Sequence, residues 1–449
     1  MTPSELLQRE FSINDKGHLE IGGCDTVDLA ENFGTPLYVM DESKIRENCR
    51  DYMESIRKVY PDSEVVYAGK AFLTKAICCL IYQEGLGLDV VSGGELYTAL
   101  HAGFPPERIC FHGNNKSREE LLFALRNGVG QIIVDSLMEL ETLIQLANET
   151  KTRPRVILRL NPGIEAHTHT YNQTGQEDSK FGMGINNGVA LQAVKQALSS
   201  PQLKLLGFHS HIGSQIFEIA PFEAAIKVIG KFLLKVRKAT GYTAQVLDLG
   251  GGLGVRYNKD DRPVPIREAV FRIGQVVKDN LTAINYPLPR LILEPGRSIV
   301  GTAGTTLYTI GNIKDLPGIR KYVAVDGGMA DNPRVALYQA VYEAVIANKM
   351  EEHLTEVATI TGKCCESGDM LVWDMPIASP NSGDILAIFS TGAYNYSMAS
   401  NYNRIPRPAV ILVADGQADL IIARETYEQL VQNDLIPQRL RVNPKIIAK

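Results

Sequence analysis

VVYAGKAF, residues 65–72, decides how the rest of the chain is read. Val65, Val66 and Tyr67 have the β-branched and aromatic character of a buried strand, and Ala71 and Phe72 continue it apolar. Lys70 interrupts that run beside two small residues, Ala68 and Gly69. An ammonium at the end of a buried strand is costly unless it has a partner or a task.

Runs of the same kind recur. SEVVYAG (63–69), GLDVVSG (87–93), RICFHGN (108–114), QIIVDS (131–136), RVILRLNPG (155–163), LLGFHSHIG (205–213), QVLDLGGG (245–252) and RLILEPGR (290–297) all read as short strands. Between them lie stretches of helical period, among them 74–84, 94–103, 117–128 and 221–238. Asp135 and Ser136 followed by Glu139 give a helix-start signal. Eight βα units imply a (β/α)8 TIM-like barrel over residues 42–300. A doubly wound sheet is the structural alternative, and it usually shows G-x-G-x-x-G after its first strand. GGGLG at 250–254 fails that template because position 255 is Val.

Past residue 300 the texture becomes β-rich, as in TTLYTIGNIK, KYVAVDGG, EVATITGK, GDILAIFSTGAY and AVILVADGQADLIIARE. The N-terminal HLEIGG and TPLYVMDE look similar. A mainly β domain built from residues 1–41 and 301–449 is therefore expected.

Composition narrows the function. The chain has 449 residues, 45% hydrophobic and 22% charged, with a net charge of −5, which argues against a nucleic-acid partner. No run reaches the ~18 apolar residues of a membrane span. MTPSELLQRE lacks the basic start and apolar run of a signal peptide. Seven cysteines, an odd number, suggest free thiols and a cytoplasmic location. There is no C-x-x-C and no H-E-x-x-H, and His167 and His169 alone do not make a metal site, so no metal is expected.

The chemistry of a (β/α)8 barrel gathers at the C-terminal ends of its strands. Lys70, Asp89, Ser92, Glu95, His211, Ser214, Gly250, Gly251, Gly252, Glu294, Gly296 and Arg297 all fall there. A lysine with its head in water is the plain reading of Lys70. The functional reading is a Schiff-base lysine whose burial lowers its pKa, and its usual partner is the aldehyde of pyridoxal 5'-phosphate. Such a cofactor needs a Gly-rich turn for its phosphate, which 250–254 offers, although a Gly run can be only a tight turn. It needs a carboxylate at the pyridine nitrogen, and Glu294, set among buried-strand residues in LILEP, suits that place. His211 is a candidate to pack on the ring.

Taken together, YAGKA (67–71), HIGSQ (211–215), LGGGLG (249–254) and EPGR (294–297) resemble the lysine, ring-stacking, phosphate and pyridine-nitrogen motifs of the fold-type III pyridoxal-phosphate decarboxylases. The barrel is then of the alanine-racemase type. Members of that family act on diaminopimelate, ornithine or arginine. DVVSGGEL (89–96), the 161–182 stretch, CESGD (365–369) and TGAY (391–394) look like the branch that converts meso-2,6-diaminopimelate to L-lysine and CO2 in the last step of lysine biosynthesis. The resemblance implies an external aldimine and a quinonoid intermediate, with Lys70 holding the cofactor. It implies that Gly250 to Gly252, Ser214, Gly296, Arg297 and Tyr394 bind the cofactor, with Glu294 at the ring nitrogen and His211 on the ring. Arg297, Arg334, Tyr338, Glu366 and Tyr394 would grip substrate, and Cys365 would be the general acid. Cys365 and Glu366 would reach the site from the other subunit of a homodimer. Cys364 is an extra cysteine beside that motif.

The rivals are a racemase, which would place an arginine at the ring nitrogen, an ornithine or arginine decarboxylase, a non-catalytic cofactor carrier, and a barrel that only binds sugar phosphate. Glu294 speaks against the first and CESGD against the second. The β domain speaks against the third. The last would leave Lys70, Glu294 and Cys365 idle.

Overall fold

In the computed structural model, which describes residues 1–164 and 178–441, the barrel is closed. Its strands are Ser63–Ala68, Gly87–Val90, Ile109–Phe111, Gln131–Val134, Arg155–Asn161, Lys204–His209, Val246–Asp248 and Arg290–Leu293. Each pairs in parallel with the next, and the last pairs with the first. All eight expected strands are present. One detail differs: the first strand stops at Ala68, and Gly69–Ala71 form a 3-10 turn that carries Lys70 out of the strand.

Short polar caps start the outer helices. Thr74, Ser92, Ser117 and Ser136 each accept the backbone N–H three residues on, from Ile77, Glu95, Glu120 and Glu139. Each such bond satisfies one N–H that the first turn of a helix leaves unpaired. The ring of helices is completed by Glu42–Val59, which precedes the first strand and packs against Ile266–Ala283. Gly274 makes that approach possible, because a Cβ there would stand 2.6 Å from Val59 and 2.8 Å from Ile56.

The barrel's interior begins with an apolar layer of Val66, Cys110, Ile133, Ile157, Leu206, Val246 and Ile292. Side chains two apart on a strand share a face. The same inward face therefore carries His112, Asp135, Arg159, Asp248 and Glu294 one step further along. A dry plug thus changes into a polar floor at the C-terminal end.

The second sheet is organised by the strand Gly304–Leu316. Its first half pairs with Leu37–Asp41 and Ile385–Phe389, and its second half with Arg320–Val325. Leu37–Asp41 also pairs with Ala409–Ala414, so an N-terminal strand is built into the C-terminal sheet, as the sequence implied. Met370–Ile377 and Ala344–Ile346 are further strands of this sheet. Among the described residues no helix is long and apolar enough to cross a membrane.

Candidate active site

Above the polar floor lies a cavity of about 320 Å3. Lys70, His211, Ser214, Gly251, Gly252, Glu294, Gly296, Arg297 and Tyr394 all line it. Lys70 is exposed within it rather than buried. The burial expected from the strand pattern is absent because the 3-10 turn lifts the side chain off the strand and into open space.

Glu294 forms the centre of the floor and is 6% exposed. One carboxylate oxygen lies 2.7 Å from His112 Nε2 and the other 3.1 Å from His209 Nε2. Burial lowers the His209 imidazole to about 4, so at neutral pH it is uncharged and its Nε2–H donates to Glu294. Burial alone would raise Glu294, but the two facing histidines outweigh it and hold this carboxyl well below the ordinary range. The neighbouring Asp248 is pushed well up by burial and by the Glu294 charge. Asp89, 3.8 Å from His112, is raised by burial to about 6. One side-chain nitrogen or oxygen from each of His112, His209, Asp248 and Glu294 lies within 4.8 Å of the other three.

The Gly-rich turn is packed as tightly as its sequence suggests. A Cβ on Gly251 would meet the Glu294 carbonyl at 2.1 Å, and one on Gly252 the Gly213 carbonyl at 2.4 Å. Gly252 also has φ +125°. Bare backbone therefore faces the cavity at both positions. Gly250 does not line the cavity: its N–H donates to Asp248 Oδ1 at 2.8 Å, and it backs onto His211. His211 is half-buried at the wall, and burial together with nearby Lys70 depresses its pKa well below 6.5.

Arg297 joins several walls. Its Nε and Nη2 donate to Ser214 Oγ at 3.2 and 3.0 Å, and its Nη1 donates to Tyr257 Oη at 2.5 Å. The guanidinium also stands 4.8 Å from the Tyr394 ring centre. Arg334 lies over the other side of this network, 4.8 Å from the Tyr257 ring centre, with Nη1 donating to Tyr342 Oη at 2.6 Å. Arg334 and Tyr338 begin and end one short helix and do not themselves line the cavity.

Cys365 and Glu366 also lie off the cavity lining. Both are exposed. The Cys365 N–H donates to Asn403 Oδ1 at 2.7 Å, and Tyr402 Oη donates to Glu366 Oε2 at 3.4 Å. Within one chain, then, the thiol and the lysine are not brought together. His167 and His169, with the middle of the 161–182 motif, lie outside the described residues.

Sequence reasoning missed His112, Arg159, Asp248 and Tyr257. For the first three the signal was available: each stands two residues after an inward apolar residue of a barrel strand. Tyr257 follows the Gly turn in a loop, where no periodicity marks it.

The residues present fit pyridoxal phosphate: an amine that opens into the cavity, a glycine turn presenting backbone, and an ionised carboxylate at the floor. Comparison with known proteins agrees. Residues 43–301 match the family model for the pyridoxal-binding domain of pyridoxal-dependent decarboxylases. The chain is 54% identical to the diaminopimelate decarboxylase of Bacillus subtilis, covering 94% of this chain and 96% of that protein. It is 47% identical to the Synechocystis diaminopimelate decarboxylase, over 97% and 94% of the two chains. Among solved structures, the diaminopimelate decarboxylase of M. jannaschii in complex with L-lysine superposes with a TM-score of 0.90 at 36% identity, covering 97% of this chain and 100% of that one.

Proposed function

Because the chain belongs to the pyridoxal-dependent decarboxylases, and among them to the diaminopimelate decarboxylases, we propose a division of labour among its residues for converting meso-2,6-diaminopimelate to L-lysine and CO2. Pyridoxal phosphate is the cofactor, and the reaction is the last step of lysine biosynthesis. Bound in the cavity, the cofactor supplies an electron sink for the pair left on Cα when CO2 departs. The observation that carries the reading is an ionised carboxylate, Glu294, buried between two histidines beneath Lys70, which alone among the described lysines lines the cavity.

Lys70 would hold the cofactor through its amine. Gly251 and Gly252 offer backbone N–H groups to the phosphate, with Ser214 and Tyr394 beside them and Gly250 bracing the turn. Glu294 would be the carboxylate that keeps the cofactor's ring nitrogen protonated. His211, on the cavity wall, would pack on the ring, and Gly296 keeps the lysine turn close.

Arg297 and Tyr394 bound the substrate side of the cavity. Arg334 commits one N–H to Tyr342, and a guanidinium has about five, which leaves a fork for the distal carboxylate. Ornithine has no such group. Tyr338 lies at the far end of the Arg334 helix and borders the same end of the substrate. The distal ammonium goes to Glu366, and Cys365 returns a proton to Cα. Since both are exposed and off the cavity lining, we assign them to the site of a second copy, in a cytoplasmic homodimer whose active sites are shared. The barrel of residues 42–300 would bind the cofactor, and the β-rich unit of 1–41 and 301–449 would deliver these partner residues.

The direct test is Lys70→Ala. The purified variant should lose the absorbance band of the lysine-bound cofactor; a variant that keeps the band contradicts the role given to Lys70.

A further inference from the structure

Asp248 ends the seventh barrel strand and is 0% exposed. Its Oδ1 accepts the Gly250 N–H at 2.8 Å, which fixes the plane of the carboxyl. Its Oδ2 is buried and has no hydrogen-bond partner. An ionised oxygen in that position would be an uncompensated charge in a low-dielectric interior.

The groups around it do not supply a donor. His209 Nε2–H donates to one Glu294 oxygen at 3.1 Å, and His112 Nε2 is held 2.7 Å from the other, an ion-pair distance rather than an aligned hydrogen bond. Asp89 belongs to His112, at 3.8 Å, and is itself acidic. Arg159 pairs with Asp135 at 3.7 Å. Cys110 lies in the apolar layer below, and Lys70 rises into the cavity from the turn after the first strand, two strands away from Asp248. What does face Asp248 is the Glu294 carboxylate, in the cluster whose side-chain nitrogen and oxygen atoms lie within 4.8 Å of one another. Two adjacent buried carboxyls do not both ionise. One proton satisfies both.

We propose that Asp248 is a positioning residue for the reaction, holding a proton on Oδ2 that it donates to Glu294, so that the pair bears one negative charge beneath the cofactor ring. The inference rests on the reading that Glu294 meets the ring nitrogen.

The chemical consequence concerns where the ring proton sits. In a dry site a carboxylate facing a protonated pyridine can take that proton, leaving two neutral groups and a weak electron sink. Donors to the carboxylate lower its basicity and favour the ionic form. His209 and protonated Asp248 are two such donors. Ionised Asp248 would do the reverse: it would make Glu294 more basic and set a second negative charge beside it.

The test uses the cofactor-loaded enzyme with Asp248→Ala and Asp248→Asn. Asparagine keeps an N–H donor toward Glu294 and alanine does not. Asp248→Ala should lower kcat by about tenfold to a hundredfold, with KM changed little, as expected for losing a hydrogen bond to a charged group. Asp248→Asn should recover most of that loss. Two spectroscopic readouts separate this from a packing defect. With cofactor labelled with nitrogen-15 at the ring, the wild type and Asp248→Asn should show a protonated nitrogen, and Asp248→Ala a shift toward the unprotonated form. In infrared difference spectra at neutral pH, a protonated-carboxyl stretch should be present in the wild type and absent from Asp248→Asn. That second readout needs no activity, so it stands even if Asp248→Ala fails to fold. Glu294→Gln is the control. If it leaves the nitrogen-15 shift unchanged, the role of Glu294 fails while the infrared band still decides whether Asp248 holds a proton. An infrared spectrum with no band lost in Asp248→Asn overturns the proposal. So does an Asp248→Ala enzyme with wild-type kcat and a protonated ring nitrogen.

Discussion

Tyr394 donates its backbone N–H to the carbonyl of Ala71 at 2.8 Å, and Ser397 Oγ reaches the same carbonyl at 3.1 Å. Ala71 directly follows Lys70. The turn that presents the lysine is therefore held from one side by the β domain. From the other side it is held by the end of the eighth strand, through Ala68 N–H to the Pro295 carbonyl at 3.0 Å. Placing the Lys70 amine is a joint property of barrel and β domain.

Gly296 tests that clamp. A Cβ there would lie 3.1 Å from Ala68 Cβ and 3.2 Å from Ala71 Cβ. Gly296→Val should push the lysine turn aside, at a cost of about 1–3 kcal/mol in stability. Cofactor affinity should fall about tenfold or more. Spectroscopic titration with pyridoxal phosphate alongside a thermal melt reads both. Unchanged affinity would mean that Gly296 does not set the lysine's position.

Glu294→Gln keeps the shape of the floor and removes its charge. On the proposed role of Glu294 at the ring nitrogen, kcat should drop by about tenfold to a hundredfold while the cofactor stays bound. Steady-state kinetics with a cofactor-retention measurement decide it. Wild-type turnover in this variant would remove Glu294 from the account.

The fold was legible because barrel strands are short, apolar and regularly spaced, and all eight stood out. Met370–Ile377 was not, since MLVWDMPI places exposed Trp373 and Asp374 in its middle and Asp374 has φ +43°. Lys70, Glu294 and the glycines were legible because a charge or a bare backbone at the end of an apolar run seldom serves packing alone. His112, Arg159 and Asp248 passed as strand ends because their importance depends on register across the barrel. One strand read alone does not show which of its residues meet at the axis.

The proposed sharing of active sites between two copies makes a sharp prediction. Lys70→Ala and Cys365→Ala should each be inactive as homodimers. Mixed after dissociation and reassociation, they should regain about a quarter of wild-type activity, because half of a random mixture is heterodimer with one intact site of two. Persisting inactivity would place Lys70 and Cys365 of one catalytic site in the same chain.

Asp331 should make stability depend on pH. It is 2% exposed, accepts from Tyr308 Oη at 2.5 Å and from the Gly328 N–H at 2.9 Å, and burial raises it from 3.8 to about 7. A carboxyl raised on folding favours the native state fully below its unfolded pKa, and that contribution is lost as pH rises through the folded value. Asp331→Asn should therefore gain on the wild type between about pH 4 and pH 7 and level off above that. At roughly 1.36 kcal/mol per pKa unit, the gain is at most about 4 kcal/mol. Denaturant melts across that range measure it. A difference between the two proteins that does not vary with pH would show that Asp331 is ionised throughout.

The central claim is that one cavity, floored by Glu294 and with Arg334 proposed, beside it over Tyr257, to hold the distal carboxylate, removes CO2 from a substrate with an amino-acid head at each end. Its most direct test is CO2 release by the purified, cofactor-loaded protein, with meso-2,6-diaminopimelate, ornithine, arginine and lysine in parallel. Release from diaminopimelate alone, with lysine as the product, is the expected result. Release from ornithine or arginine instead would leave the barrel and its cofactor chemistry standing and would contradict the assignment of Arg334 to a distal carboxylate.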